Sequence, residues 1–451
     1  MIINGKEIKI IRENAIVAKA DTIYCELVKK ILSEGVITNN RTGIDTISIP
    51  GWNYQFDVSK YFPITETKDV KIRQAASEIQ WIHQVQSNRV EWLRERENYI
   101  WDDWVIDNDG IYRVYEQGVN AINDPERMVP LYVQTINPFT GVLEKTPVMG
   151  YDGKQRMIKS KDIIDGKENP RTIKEAIWFG TPYAGTIGEA YGFINNKYKR
   201  PQAVEWTLKN NPNDRRMNIV LWQDAHIAKA VLPSCVWSTE WKTTPDGKLN
   251  CYVHQRSADV PIGLPFNIVQ YAILLHMFAK ATGFEVGTMN YSIMDAHIYV
   301  NQQDGINKQL KRYECMQDYS QMIRYSSDYE IDNFYNKIKT YYDRLNRKAA
   351  MLIDSDITKM KFSKIKEELM KKNTSLALEY EKLYEQKVCF EHMILRKEPV
   401  FELAKHDSIF EYSTDYVSKK DPYLKENPVG NKELVLKNYT PTPFIKMPVA
   451  Q

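Results

Sequence analysis

Gln255-Arg256-Ser257-Ala258-Asp259-Val260-Pro261-Ile262-Gly263-Leu264-Pro265-Phe266-Asn267-Ile268 joins a strand-like pattern to a helix-like one. Before it, Leu249, Cys251 and Val253 alternate with Lys248, Asn250, Tyr252 and His254, as in a half-buried strand. After it, Ile268, Tyr271, Ala272, Leu275 and Phe278 recur at helical spacing until Gly283, which reads as a stop. A junction of this kind gathers a guanidinium, a hydroxyl, a carboxylate and a carboxamide on one wall of a pocket. A pyrimidine nucleotide, with an anionic end and a hydrogen-bonding ring, needs that set.

Upstream, Cys235 follows Pro233 and Ser234, just after the strand-like Met217 to Trp222. A lone cysteine is commonly a small buried apolar residue. Here Arg215, Arg216 and Arg256 flank it in sequence, and cations near a thiol favour the nucleophilic thiolate. Cys25, Cys251, Cys315 and Cys389 lack such neighbours. Five cysteines with no CxxC pair indicate neither a disulfide framework nor a zinc ribbon, so no metal is expected.

The chain has 451 residues, 43% of them hydrophobic, which allows one large domain or two to three ordinary ones. Its 61 basic and 58 acidic groups leave a net charge of +3, so no nucleic acid is required as partner. Charges come too early for a signal peptide, and no apolar run approaches ~18 residues. The expectation is a cytoplasmic chain without membrane contact. Ile72, Ala75, Ala76, Ile79, Ile82 and His83 share a helical face in which Glu78 is embedded. Turn-forming pairs recur through 111–186, which reads as a loop-rich insertion. The segment 302–387 lacks proline and carries two apolar stripes. One is Ile331, Phe334, Ile338, Tyr341 and Leu345; the other is Phe362, Ile365, Leu369, Leu376 and Leu383. They predict an antiparallel helical hairpin packed on the core, with a partner-binding coiled coil as the alternative. The apolar tail from Pro441 reads as a segment that docks.

The motifs in combination are specific. They begin with Asn40-Arg41-Thr42-Gly43, Phe62 to Lys68, Glu78 and Ile100-Trp101-Asp102-Asp103-Trp104. Gly188-Glu189-Ala190-Tyr191-Gly192, Asp214-Arg215-Arg216, Cys235 and the opening stretch follow. Asp295 to Asn301 and Pro448-Val449-Ala450 complete the series. In this order the chain resembles the cysteine-dependent, folate-using thymidylate synthase family, which includes pyrimidine nucleotide hydroxymethylases. The resemblance implies an α/β (α+β) fold, a single domain over 1–451 with a large mixed β-sheet flanked by helices.

It also implies the chemistry. Cys235 would add to C6 of dUMP, and C5 would take a one-carbon unit from 5,10-methylenetetrahydrofolate, a co-substrate. Asn267 matches the pyrimidine reader; asparagine goes with uracil and a carboxylate with cytosine. The plainer reading of Asn267 is a helix N-cap, and both roles can hold together. Arg41, Arg256 and Ser257 match phosphate binders, and Arg215 and Arg216 match a pair donated by the second subunit of a homodimer. His297 and Tyr299 match the sugar contacts. Glu78 matches the proton relay and Tyr191 the group linked to loss of the C5 proton. Asp259, Ile100, Trp101, Trp104, Gly263, Phe266 and Ala450 line up with folate contacts, and Lys68 with a contact to the folate's glutamates.

Some positions depart from the family pattern. Ser234 replaces a proline, Val236 a histidine, Glu240 a glutamine, and Ile293-Met294 a glycine pair; Gln451 ends the chain in place of a branched apolar residue. These changes surround the pocket without removing a reacting group. Trp101 and the Pro448 tail, which shield the centre in synthases, remain, so dTMP is the expected product. The alternative is 5-hydroxymethyl-dUMP, formed when water intercepts the same intermediate. A non-catalytic structural or RNA-binding relative is the remote alternative.

Overall fold

The computed structural model describes residues 1–3, 5–40, 42–115, 127–159, 163–164, 167–168 and 173–449. Arg41 and Ala450 lie outside the described residues, as do parts of the 111–186 insertion.

A six-stranded mixed sheet forms the centre, in the spatial order Asn218–Val220, Val236–Thr243, Lys248–Asp259, Glu285–Tyr299, Thr46–Asp57 and Val36–Thr38. All neighbours are antiparallel except Lys248–Asp259 and Glu285–Tyr299, which run parallel. A parallel pair needs a crossover, and the helix Gly263–Thr282 supplies it. That helix is apolar nearly all round, from Leu264 through Phe278, because it lies between the sheet and the helix Ile72–Gln80. Gly283 ends it in the left-handed region, at φ 80°, as the sequence predicts.

Two boundaries differ from expectation. The strand runs on to Asp259, so Arg256, Ser257 and Asp259 are strand residues and only Val260 to Ile262 connect to the helix. The helix begins at Gly263, before the periodic apolar residues, because Pro265 is tolerated in a first turn. Asn267 is therefore inside the helix, and Ile262 occupies the N-cap without a side-chain bond.

The 111–186 segment is more ordered than a loop-rich reading allows. It contains a five-stranded sheet built on Ile111–Tyr115, Met128–Ile136, Leu143–Pro147, Met157–Lys159 and Ile173–Trp178. Among the described residues, the turn pairs Asn137-Pro138 and Thr140-Gly141 mark a hairpin tip, not an absence of strands.

The expected helical hairpin resolves into four helices: Gln303–Tyr325, Asp328–Ile353, Phe362–Lys372 and Thr374–Leu395. The second stripe breaks at Asn373, whose side chain caps the last helix by accepting from Leu376 N at 2.9 Å. Ile338, Leu345, Ile365, Leu369 and Leu383 pack on one another, while Tyr341 of the first stripe is exposed.

Buried polar contacts bind this insertion to the Phe62–Lys68 loop. Arg396 holds Glu66 with two 3.0 Å bonds, and Glu66 N donates to Asp21 at 2.7 Å. Arg312 donates to Thr67 O at 3.1 Å and to Pro443 O at 2.6 Å. Thr442 N and Oγ1 both donate to Glu66 O, so the C-terminal segment docks on the same loop. No helix of the described residues is long and apolar enough to cross a membrane.

Candidate active site

The central strand order and register bring the site together. Cys235 immediately precedes the strand Val236–Thr243, and its carbonyl accepts from Arg256 N at 2.9 Å. The Arg256 guanidinium folds back over the same turn. It donates to Pro233 O at 2.8 Å and to Ser234 O at 3.2 Å, and Nη2 stands 3.7 Å from Cys235 Sγ. A fixed cation thus lies against a half-buried thiol.

On the other side, Cys235 N donates to the Tyr191 hydroxyl at 2.9 Å. Tyr191 is buried, and burial, followed by the nearby Cys235, pushes its phenol well above the ordinary value. Its backbone takes φ 48°, a left-handed conformation that costs a non-glycine residue energy. The next residue must be small: a Cβ on Gly192 would fall 2.0 Å from Ser87 O. The close approach of these segments sets the strained turn that aims Tyr191 at Cys235.

Parallel register places Ser257 beside Asp295 and Asp259 beside His297. Asp295 Oδ2 accepts from Ser257 Oγ at 2.8 Å and lies 3.1 Å from His297 Nδ1. Burial would raise the Asp295 carboxyl, but His297, Ser257 and Arg256 outweigh it and hold it below the usual range. The Tyr299 ring meets His297 edge-on, with centroids 5.1 Å apart. Asp259 accepts from Ile262 N and from Gln302 Nε2, each at 3.2 Å. Gln302 also donates to Pro448 O at 2.9 Å, which fixes the tail beside Asp259. Burial raises the Asp259 carboxyl above its ordinary value, against the pull of Gln302, His297 and Lys68.

Glu78 is 8% exposed on the helix Ile72–Gln80, which continues as a π-helical turn, Trp81–Val85. Trp101 Nε1 donates to Glu78 Oε1 and Gln270 Nε2 to Oε2, both at 2.8 Å. Burial pushes this carboxyl up to about 7 despite those two donors. Trp101 also stacks edge-on with Tyr191 at 5.4 Å and with Trp104 at 5.7 Å. From Gln270 the bonds continue to Asn267, then Gln255, and end at the Tyr291 hydroxyl.

Other sequence-predicted residues stand apart or differ in setting. Arg215 and Arg216 occupy an exposed loop, where Arg216 pairs with Asp214 and keeps 87% of its side chain in solvent. Lys68 is buried, with Nζ donating to the Pro261 carbonyl, and burial lowers it to about 8. Ile100, Trp104 and Phe266 are half-buried around the main cluster. A Cβ on Gly263 would lie 3.8 Å from Asp259 Cβ and 3.9 Å from Asn267 Oδ1, so glycine keeps the gap between those two residues open.

Sequence reasoning gave no role to Gln255, Gln270 or Gln302. Gln270 carried a signal, since a glutamine three residues after Asn267 shares its helix face amid apolar neighbours.

Residues 22–353 match the family model described as Thymidylate synthase. A curated thymidylate synthase of Clostridium beijerinckii is 32% identical over 316 residues, which cover 70% of this chain and 90% of that protein. The chain belongs to the thymidylate synthase family.

Proposed function

We propose that this enzyme converts dUMP to dTMP, with 5,10-methylenetetrahydrofolate as the one-carbon donor and dihydrofolate as the second product. The observation that carries this reading is one unbroken series of contacts. Cys235 Sγ stands 3.7 Å from Arg256, and its N–H meets Tyr191, which packs on Trp101. Trp101 donates to Glu78, which Gln270 joins to Asn267.

The Cys235 thiolate forms the S–C6 bond, and the C5=C6 electron pair moves toward C5 and O4. Asn267 donates to O4 and accepts from N3–H, while Glu78 relays protons through water at that edge. Arg256 and Ser257 take the phosphate; the Ser257 hydroxyl rotates from Asp295 to do so. His297 and Tyr299 hold the sugar, and Tyr191 assists removal of the C5 proton.

The residues fit a folate on three counts. Trp101, packed on Trp104 and Tyr191, and the half-buried Phe266 supply aromatic surface, Asp259 offers a carboxylate, and the bare Gly263 leaves room between Asp259 and Asn267. When bound, the folate supplies the methylene and then the hydride. Trp101 and the tail held by Gln302 exclude water at that stage. Lys68 contributes from inside, by supporting the Pro261 turn.

Product analysis tests the reading. After incubation with dUMP and methylenetetrahydrofolate, chromatography should give dTMP in step with dihydrofolate absorbance. Consumption of dUMP with 5-hydroxymethyl-dUMP and no dihydrofolate would assign the hydroxymethylase reaction instead.

The exposure of Arg215 and Arg216 supports their use by a second subunit of a homodimer. An Arg216→Ala chain mixed with a Cys235→Ala chain should regain part of the activity that each lacks alone. A mixture as inactive as its components would count against shared sites.

A further inference from the structure

The Asn267 carboxamide has nearly the same outline when turned by 180°. In one orientation it donates to O4 and accepts from N3–H of uracil; in the other it suits the N4 amine and N3 of cytosine. An asparagine alone therefore does not choose between the two bases. Its orientation does.

Three buried side chains determine that orientation. The Ser257 carbonyl can only accept, so the Gln255 group 2.9 Å from it is the amine, which also donates to Asn267 Oδ1 at 3.1 Å. The Tyr291 hydroxyl, 2.6 Å from Gln255 Oε1, agrees with that assignment. Asn267 Nδ2 then donates to Gln270 Oε1 at 3.0 Å, and Gln270 Nε2 to Glu78 Oε2 at 2.8 Å. Gln270 is 2% exposed, so water does not substitute for these partners. The series is consistent only while Glu78 Oε2 accepts. Ionised Glu78 accepts at both oxygens, Oε1 from Trp101 and Oε2 from Gln270, so a proton on it competes with one of the two donors. On Oε2 it confronts the Gln270 amine, and turning Gln270 would then set two amines face to face at Asn267.

We infer that Gln270 is a positioning residue that ties the orientation of Asn267, and with it the preference for uracil over cytosine, to the ionised form of Glu78. The inference rests on the proposed pyrimidine-reading role of Asn267. Besides Gln270 and Trp101, the neighbours of Glu78 include Tyr271 on the Asn267 helix, whose phenol burial holds far above neutrality. His83, on the turn continuing the Glu78 helix, is pushed down to about 3 by burial and stays neutral. Tyr191, beyond Trp101, is also protonated, and Cys235 and Arg256 lie behind it. The Glu78 carboxyl, raised by burial to about 7, changes charge near neutrality.

The test is the ratio of dUMP to dCMP affinity, measured by calorimetry from about pH 6 to about pH 8.5, where phosphate ionisation is common to both ligands and cancels. In the wild type the preference for dUMP should rise about tenfold as Glu78 ionises. In Gln270→Met, of similar volume without either bond, the preference should fall about tenfold at the upper pH and lose its slope. Wild-type preference and slope retained in Gln270→Met would overturn the coupling while leaving the pyrimidine-reading role of Asn267 intact. A wild type with no preference at any pH would overturn both. If Gln270→Met does not fold, Glu78→Gln serves, since a slope that persists there would equally overturn the inference.

Discussion

Replacing Cys235 with alanine is expected to abolish dUMP turnover, with a loss in kcat on the order of 10^4 to 10^6. No other thiol is placed to substitute. Burial raises the Cys25, Cys251, Cys315 and Cys389 thiols above the ordinary value, with nearby charges as lesser influences at all of them but Cys251. The scaffold should survive the change. Arg256 still holds Pro233 and Ser234 through their carbonyls, and Tyr191 still accepts from the backbone N–H of residue 235. The dUMP dissociation constant should therefore stay within a few-fold of wild type while the rate disappears. Intact-mass spectrometry of enzyme denatured during turnover reads the same point, with a nucleotide-sized adduct on wild type and none on Cys235→Ala. An adduct that persists in the variant would place the nucleophile elsewhere.

Asn267→Asp should invert the choice of base. A carboxylate only accepts, so one of its two contacts to uracil becomes repulsive in a dry site. With cytosine, the N4 amine donates to the carboxylate and a shared proton can complete the contact to N3. The side chain also loses the N–H that meets Gln270 Oε1, while the donation from Gln255 persists. A loss of about 10^3 to 10^4 in kcat/KM for dUMP follows, with dCMP becoming the better substrate. Competition kinetics with both nucleotides would show it. A variant that kept its wild-type preference would remove Asn267 from base reading.

The parts of this molecule legible in the sequence are those with a period. The strand before Arg256 and the helix after Asn267 showed alternation and helical spacing, and both are present. Their ends were less legible. Proline in a first turn let the helix start at Gly263, which moved Asn267 from a cap to an interior face. In the insertion the sevenfold spacing of leucines ran straight through Asn373, where the backbone turns because the side chain caps a new helix. Short strands among turn residues hid the sheet of the 111–186 segment. The positioning glutamines had no period at all. Gln270 meets Glu78 across 192 residues of chain, a separation that no local pattern records.

The Phe62–Lys68 loop has a consequence for how the protein is made. Glu66 is held by Asp21, Arg396 and Thr442, at separations of 45, 330 and 376 residues. During synthesis the loop leaves the ribosome with Asp21 already available, but two of its three anchors emerge more than 300 residues later. Distant contacts of this kind close slowly, because a long stretch of chain must be ordered before they form. The nascent chain thus holds this loop by one anchor until Arg396 and Thr442 have emerged, and a ribosome stalled before Thr442 would carry a chain unable to fasten it fully.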